Sequence, residues 1–386
     1  MSLPISTHRP CLGAEELAAV EAVFASGWLG QGDVTQAFED ALCAHLDVAH
    51  VVAVSSGTAA LHLALEALDL PEGSGVLVPS LTFVASAQAI LAARLQPVFC
   101  EIDPETLQLD VDDARDRLVG SGASGRGTPR ARVVMPVHFG GASCDMRALQ
   151  SLADEHGLHV VEDAAHAFGS TCGGRALGTF GAAGCFSFDP IKTITCGEGG
   201  AIATYSAELA ARLRAARCLG ISADGWSRHA DGAAWRYDVQ RQGWRYHLPN
   251  LNAAIGLAQL PRLDAFRARR QAIVRCYEDA LRPLGGLTLL TRPRPDVCPF
   301  TYAVRVRAGR RDALMAHLRA AGIGTSVEYI PNHLHQAFAA SRVTLPATEQ
   351  AFCEILSLPL HAGLSDDDVT TVVRTVQEFF EHGGGS

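Results

Sequence analysis

Short apolar segments alternate with helical patterns over the first two-thirds of the chain, and this alternation restricts the fold more than any other feature of the sequence. Helical patterns at 15–26 and 34–46 come first, and two more stand at 59–68 and 85–93. Apolar runs predict buried strands at 51–54, 75–78, 97–102, 132–137, 159–162, 185–188 and 201–204. This order is typical of a mostly parallel central sheet covered by helices, and it predicts the α/β class.

The pattern changes near residue 250 of the 386. The sequence then predicts a long helix over 251–277, bent at Pro261, followed by strands at 302–306 and 325–329 and helices at 311–321 and 366–381. We therefore predict two domains, a large α/β domain over 1–249 and a small C-terminal α+β domain over 250–386. The Gly- and Ser-rich stretch 121–129 is expected to be a flexible insertion.

Composition and charge argue against several classes of protein. Hydrophobic residues make up 48% and charged residues 19% of the chain, which is typical of a folded protein with a large core. The net charge of −9 is opposite to the charge expected of a nucleic-acid-binding protein. No apolar stretch approaches the roughly 20 residues that span a bilayer, and residues 1–10 lack the pattern of a signal peptide. We expect a cytoplasmic protein without nucleic-acid or membrane partners.

The cysteines and histidines do not predict a metal site. None of the eleven cysteines belongs to a CxxC pair, and we expect them to be reduced and mostly buried. His333 and His335 form an HxH pair, but no set of Cys or carboxylate ligands accompanies it. We therefore predict no metal.

The chain contains 31 arginines and a single lysine, Lys192. A codon bias toward arginine explains this ratio, and on that interpretation Lys192 is a chance survivor on the surface. The alternative is chemical, because an amine can lose its proton and attack a carbonyl, whereas a guanidinium stays protonated. The surrounding sequence favours the chemical alternative, since Lys192 follows a predicted strand in a short loop that ends in glycines.

Two other segments complement this lysine. Residues 55–60 (SSGTAA) follow a strand and begin a helix, where free N–H groups and the helix dipole favour a phosphate, although a simple helix cap is equally consistent. Asp163 ends an apolar strand, where open α/β sheets bind their ligands, although it could also cap the next helix. Together with Lys192 they form a minimum set for pyridoxal 5′-phosphate (PLP): the lysine holds the aldehyde as a Schiff base, the carboxylate keeps the pyridine nitrogen protonated, and the turn anchors the phosphate.

Four longer motifs contain these residues: SSGTAALHLAL at 55–65, PSLTFVASAQAI at 79–90, VEDAAHAFGS at 161–170 and FSFDPIKTITCGEGGA at 186–201. As a set they resemble the DegT/DnrJ/EryC1/StrS family of PLP-dependent sugar aminotransferases, and the resemblance extends over nearly the whole chain. It implies fold type I of the PLP-dependent transferases, the aspartate-aminotransferase-like fold. It also implies a homodimer whose active sites lie at the interface.

The resemblance assigns roles to single residues of the cofactor site. By the family pattern Lys192 forms the Schiff base, Asp163 pairs with the pyridine nitrogen, and Phe83 stacks on the ring. Lys192 and Asp163 are therefore the predicted catalytic residues. The other predicted cofactor-binding residues are His166, near the ring hydroxyl, and Gly57, Thr58 and Ser187, at the phosphate.

Two segments leave roles open. The chain reads YHLPN at 246–250, where many family members have Tyr-Asn and the Asn reaches the phosphate of a neighbouring subunit; His247 either takes over this contact or has no such role. The segment 226–244 is rich in Arg and aromatic residues, and it either grips a nucleotide diphosphate or forms an ordinary exposed interface. The predicted substrate-binding residues are Trp28, Arg228, Tyr246 and His333.

The resemblance implies an aminotransferase that moves the amino group of L-glutamate to a keto sugar in amino-sugar biosynthesis. The expected acceptor is a nucleotide-diphospho-4-keto-6-deoxyhexose, with a 3-keto sugar as the alternative. Three rivals remain open: a cyclitol or other non-nucleotide keto-sugar aminotransferase, a PLP-dependent sugar dehydratase, and a non-enzymatic regulator on the same fold. Lys192 disfavours the dehydratase, because dehydratase relatives carry His in place of the lysine.

Overall fold

The computed structural model describes residues 5–123, 129–221, 237–291 and 296–382 of the chain. Most of the predicted flexible insertion, namely residues 124–128, lies outside these described residues, and so does Arg228.

A seven-stranded sheet forms the centre of the predicted large domain. Its strands are β1 (His50–Val54), β2 (Gly75–Pro79), β3 (Gln96–Cys100), β4 (Ala131–Val134), β5 (His159–Asp163), β8 (Ala183–Ser187) and β9 (Gly200–Thr204), while β6 (Thr171–Cys172) and β7 (Arg175–Ala176) pair as a separate hairpin. The strand order is β1-β9-β8-β5-β4-β2-β3. All neighbours are parallel except those of β9, which runs antiparallel to β1 and β8. The predicted α/β class with a mostly parallel sheet is confirmed.

Helices cover both faces of this sheet because successive side chains of each strand point to opposite faces. In β1, Val52 and Val54 join one apolar cluster, whereas Val51 and Ala53 join another on the opposite face. The first cluster contains side chains of the helices Gly57–Ala67, Val84–Ala92 and Ala207–Arg217, and the second contains side chains of the helix Asp33–Leu46. The helices of the large domain are α1 (Ala14–Ser26), α2 (Asp33–Leu46), α3 (Gly57–Ala67), α4 (Val84–Ala92), α5 (Val111–Ala123), α6 (Met146–His156) and α7 (Ala207–Arg217).

The long helix predicted over 251–277 is divided where the sequence predicted a bend. Helix α8 (Asn250–Gln259) ends at a 3₁₀ turn over Leu260–Arg262, which contains the proline, and α9 (Leu263–Leu281) follows. Proline has no N–H to donate to the preceding turn, which accounts for the interruption. Helix α8 packs against α1 and α2. This packing favours a domain boundary beyond residue 250, and the division into two domains stays a prediction.

The C-terminal part contains a small antiparallel sheet with β11 in the middle. Its elements are β10 (Leu287–Leu289), β11 (Tyr302–Val306), α10 (Arg311–Ala320), α11 (Pro346–Glu354), β12 (Ile355–Leu358) and α12 (Asp366–His382). The predictions for β11, α10 and α12 are confirmed to within a residue at most ends. The strand predicted at 325–329 is wrong. Ser326 forms an isolated bridge to Ser357, after which the chain leaves the sheet and brings Glu328 and Tyr329 to a cavity.

Three observations concern membranes, metals and thiols. Within the described ranges, no helix combines the length and the apolar character that crossing a bilayer requires. In the same part of the chain, no three His, Cys, Asp or Glu side chains are grouped so that they could hold a metal ion. All eleven cysteines are free; five are buried, and Cys276 and Cys353 are exposed.

Candidate active site

A cavity of about 250 Å³ lies beyond the carboxyl ends of β1, β5 and β8. Parallel strands present their carboxyl ends at one edge of a sheet, so the loops that follow them meet there. The cavity brings together all the residues predicted to bind the cofactor within one subunit, which are Gly57, Thr58, Phe83, Asp163, His166, Ser187 and Lys192. These residues come from segments more than 130 positions apart in the sequence, and the sheet topology is what assembles them.

Lys192 lies in the loop between β8 and β9 and reaches into this cavity. Its backbone N–H donates to Asp189 O at 3.1 Å, which closes a tight turn. The Nζ atom lies 4.2 Å from the centre of the Phe300 ring. Removal from bulk water lowers the pKa of Lys192 to about 8, although the carboxylates of Asp189, Asp163 and Glu328 act in the opposite direction. The only lysine of the chain therefore has an amine that is partly neutral near neutral pH.

Asp163 is the last residue of β5, and it is 4% exposed. Its Oδ2 accepts a hydrogen bond from Ser86 Oγ at 2.7 Å, and its Oδ1 accepts one from the Ala165 N–H at 3.1 Å. Burial raises the pKa of Asp163, while these two donors and the charge of Lys192 oppose the rise. A buried carboxylate held in this way is poised for a cationic partner.

Ser86 is a site residue that sequence reasoning missed. It lies in the first turn of α4, three positions after Phe83, and is 1% exposed. Residues three apart on a helix lie on the same side, so the predicted role of Phe83 contained a signal for Ser86. The Phe83 ring is 53% exposed in the cavity wall and lies 5.5 Å from the ring of Tyr329.

The start of α3 provides a cradle for an anion. The Ser56 side chain caps the helix by accepting from the Ala59 N–H at 3.1 Å, which leaves the N–H groups of Gly57 and Thr58 in the first turn for other acceptors. A Cβ atom on Gly57 would lie 2.8 Å from the Cβ of Ser187. Glycine is therefore required for the helix to approach β8 this closely.

His166 contacts residues of the C-terminal part that line the cavity. Its Nε2 lies 3.0 Å from Tyr329 Oη, and its Nδ1 accepts a hydrogen bond from the Gly140 N–H at 3.4 Å. Its ring centre is 4.2 Å from that of Phe300. Burial, together with the charge of Lys192, lowers the pKa of His166 well below its usual value, so its ring is neutral.

The predicted substrate-binding residue His333 lies outside this cavity. It is 1% exposed, its Nδ1 lies 2.7 Å from Ser80 Oγ, and its Nε2 lies 3.3 Å from a carboxylate oxygen of Glu349. Both ring nitrogens therefore have partners within the chain. These contacts use the polar atoms of His333 to fasten the C-terminal part to the end of β2, which does not favour its predicted place in the substrate pocket.

Trp28, Tyr246 and His247 do not line the cavity within one subunit either. The Trp28 indole N–H donates to Gln31 O at 2.9 Å. The Tyr246 ring stacks on Trp244 at 5.9 Å, beside α3, and the backbone of His247 bridges to β1 at Val54. Their predicted contacts with substrate or phosphate stay predictions.

The residues of the cavity fit PLP. Lys192 supplies an amine with a lowered pKa, and Asp163 supplies a buried carboxylate for the protonated ring nitrogen. The start of α3 at Gly57 suits the phosphate. A Cβ atom at this position would clash with Ser187. Phe83, an exposed aromatic residue, lines the same cavity.

An α/β sheet of this topology, with a loop lysine and a buried strand-end aspartate lining one cavity, is typical of the PLP-dependent enzymes of fold type I. The model of the DegT/DnrJ/EryC1/StrS aminotransferase family matches residues 10–377, and the chain belongs to this family. It is a sugar aminotransferase with PLP as its cofactor.

Solved structures of similar proteins agree with this assignment. The aminotransferase TlmJ from Streptoalloteichus hindustanus is 38% identical, with a TM-score of 0.90 over 98% of this chain and 99% of the other. DesV from S. venezuelae, described in complex with a ketimine intermediate, is 35% identical, with a TM-score of 0.85 over 97% and 99%. The putative sugar aminotransferase Spr1654 from Streptococcus pneumoniae, in its PMP form, is 26% identical, with a TM-score of 0.89 over 98% and 99%.

Proposed function

We propose that this enzyme transfers the amino group of L-glutamate to a keto sugar carried on a nucleoside diphosphate. A 4-keto-6-deoxyhexose is the first choice of acceptor, and a 3-keto sugar is the alternative. The observation that carries the proposal is the placement of Lys192 Nζ in a cavity shared with Asp163 and the anion cradle. The similarity to sugar aminotransferases supports a sugar as the acceptor.

Bound PLP supplies an aldehyde that takes up an amino group and a ring that withdraws electrons from the attached carbon. Lys192 holds that aldehyde and, once released, moves a proton between the α-carbon of the donor and C4′ of the cofactor. A pKa of about 8 suits both tasks, because at neutral pH such an amine both accepts and returns a proton.

Asp163 stabilises the proton on the ring nitrogen. Ser86 and the Ala165 N–H fix the orientation of its carboxylate, so the negative charge is preorganised toward the ring. Gly57, Thr58 and Ser187 bind the phosphate, and Phe83 stacks on the ring face. His166, which is neutral and hydrogen-bonded to Tyr329, positions the side of the ring that carries the hydroxyl.

We further propose a homodimer with the active sites at its interface. Several large apolar side chains of α1 and the loop after it are exposed: Leu17 at 71%, Phe24 at 62%, Leu29 at 41% and Trp28 at 37%. An exposed apolar patch of this kind favours burial against a second copy of the chain. Sedimentation of the active enzyme tests this, and a fully active monomer would refute it.

The cofactor role of Lys192 is tested by reduction with borohydride. The purified holoenzyme should lose its visible absorption band, and mass spectrometry should find the cofactor attached to the only lysine-containing peptide. Lys192→Ala is the matched control, since it removes the only side-chain amine of the chain. A Lys192→Ala protein that still bleaches and carries the label contradicts the assignment.

The acceptor is tested by mixing the glutamate-loaded enzyme with a panel of keto nucleotide sugars and following the return of the visible band. Return of the band with a 4-keto or 3-keto nucleotide sugar supports the proposal. Return with a free keto-cyclitol alone would favour the non-nucleotide alternative, and deoxygenation of the sugar without net transfer of an amine would favour the dehydratase.

A further inference from the structure

The first described residues of the chain bring a histidine to the cavity. The N–H of Gly324 donates to Ile5 O at 2.7 Å, and the N–H of Leu360 donates to Thr7 O at 3.0 Å. These backbone hydrogen bonds attach residues 5–7 to the C-terminal part of the chain. His8 comes next in the chain and lines the cavity, although it is 184 positions away from Lys192.

The imidazole of His8 is held on two sides. Its ring stacks on Phe300, with the centres 5.4 Å apart and the planes 2° from parallel. Its Nε2 lies 3.4 Å from Glu328 Oε1, and the side chain is 10% exposed. Glu328 is itself fixed, because it accepts hydrogen bonds from Ser326 Oγ at 2.5 Å and from Ser357 Oγ.

This arrangement determines which nitrogen of His8 carries the proton. The pKa of Glu328 is lowered, with the hydrogen bonds from His8, Ser326 and Ser357 outweighing the effect of burial, so Glu328 is an anion and can only accept a hydrogen bond. Nε2 must therefore carry a proton, and in the neutral imidazole Nδ1 is then the acceptor. Nδ1 is buried and has no hydrogen-bond partner among the described residues. A buried acceptor without a partner is costly, which indicates that a ligand supplies the missing donor.

We propose that His8 Nδ1 accepts a hydrogen bond from a hydroxyl group of the sugar acceptor, so that His8 is a specificity-determining residue of the acceptor half-reaction. This inference rests on the proposed function of the enzyme. His8 and Lys192 contact the same Phe300 ring, so the bound hydroxyl belongs to the part of the sugar that lies near the reacting carbon.

The chemistry of His8 and Glu328 favours binding of the sugar acceptor over binding of the amino donor. The carboxylates of glutamate and the phosphates of the nucleotide have no proton to donate to Nδ1 at neutral pH, and the α-amino group of glutamate is the group that reacts at the cofactor. The fixed charge of Glu328 also repels both groups. A neutral, hydroxyl-bearing ring meets neither obstacle.

Two substitutions at position 8 test the proposal. His8→Phe keeps a ring to stack on Phe300 but removes both nitrogens, whereas His8→Asn keeps an acceptor oxygen near the position of Nδ1. The two half-reactions are followed separately through the visible band of the holoenzyme: the donor half with L-glutamate, and the acceptor half with the keto nucleotide sugar that the wild type uses best. Thermal unfolding of each variant monitors folding.

We expect His8→Phe to weaken the apparent affinity for the keto sugar about tenfold, the effect of one hydrogen bond, and to change the glutamate half-reaction less than twofold. His8→Asn should recover part of the loss. Calorimetric titration with the corresponding unreactive hydroxy nucleotide sugar should give the same ranking without turnover. Equal losses in both half-reactions, or no loss in either, would overturn the proposal.

Glu328→Gln provides an independent variant. Its amide can donate to Nε2, which would move the proton of His8 to Nδ1 and turn the acceptor into a donor. This variant should also bind the keto sugar more weakly, and combining it with His8→Phe should add little further loss. Additive losses would overturn the proposed coupling. If the wild type converts no keto sugar of the panel, the proposed function itself fails; if it converts one and His8→Phe behaves like the wild type, only this inference fails.

Discussion

The lowered pKa of Lys192 leads to a quantitative prediction for the apoenzyme. With a pKa of about 8 instead of 10.5, about a tenth of the Lys192 amine is neutral at pH 7, which is about 300 times the fraction expected for a solvated lysine. Burial causes this difference, and it is present before any cofactor binds. The amine of the folded apoenzyme should therefore react with small carbonyl reagents far faster than the same amine in the unfolded chain.

Reductive methylation with formaldehyde and cyanoborohydride measures this reactivity. Because the chain has one lysine, mass spectrometry of a single peptide reports the rate without interference from other side chains. The rate plotted against pH should have a midpoint near 8 for the folded apoenzyme and near 10.4 for the chain in denaturant. Asp163→Asn is the informative control, because it removes a charge that raises the pKa of Lys192, so its midpoint should fall below that of the wild type. A folded-state midpoint near 10 would refute the reasoning.

Other consequences follow from the same contacts. The unfolded chain binds more protons than the folded one between pH 8 and 10.5, so the free energy of unfolding of the apoenzyme, measured with denaturant against Lys192→Met, should rise by about 3 kcal/mol across that range and stay flat below it. Asp163→Asn should retain the cofactor, as seen by its absorption, but slow turnover about 100-fold or more; unchanged turnover would exclude the role given to this carboxylate. Ser86→Ala removes a 2.7 Å hydrogen bond to that carboxylate and should slow steady-state turnover about tenfold, with the cofactor still bound. Gly57→Ala places a Cβ atom 2.8 Å from the Cβ of Ser187 and should weaken cofactor binding at least fivefold in equilibrium dialysis; wild-type affinity would mean that the cradle is not the phosphate site.

The sequence predicted the cofactor side of the cavity well, because those residues stand at the ends of strands. An apolar run that ends in Asp163, or a strand followed by the loop of Lys192, places its polar residue at the same edge of a parallel sheet in any α/β fold. In these segments the local sequence pattern and the sheet topology agree, so the local pattern is sufficient to predict where the polar residue lies.

The acceptor side could not be predicted in the same way. His8, Phe300 and Glu328 come from segments with no local signal for a site, and their proximity depends on how the N-terminal residues lie across the small sheet. The wrong strand at 325–329 has the same origin. Only Ser326 bridges to the neighbouring strand, and the chain then leaves the sheet and brings Glu328 and Tyr329 to the cavity.

His333 shows the opposite case. Its motif suggested a pocket, yet the buried ring is engaged by Ser80 and Glu349 at both nitrogens. Whether a histidine meets solvent or a neighbouring side chain is decided by packing between segments more than 250 positions apart, which no window of sequence contains.

The attachment of residues 5–8 to the small sheet has a practical consequence for anyone who purifies or immobilises this enzyme. Fusion partners, affinity tags or surface linkers joined immediately upstream of Ile5 would pull on the segment that seats His8, and would alter the choice of sugar before they altered yield or solubility. Joining them after α12 instead adds no chain next to the segment that seats His8.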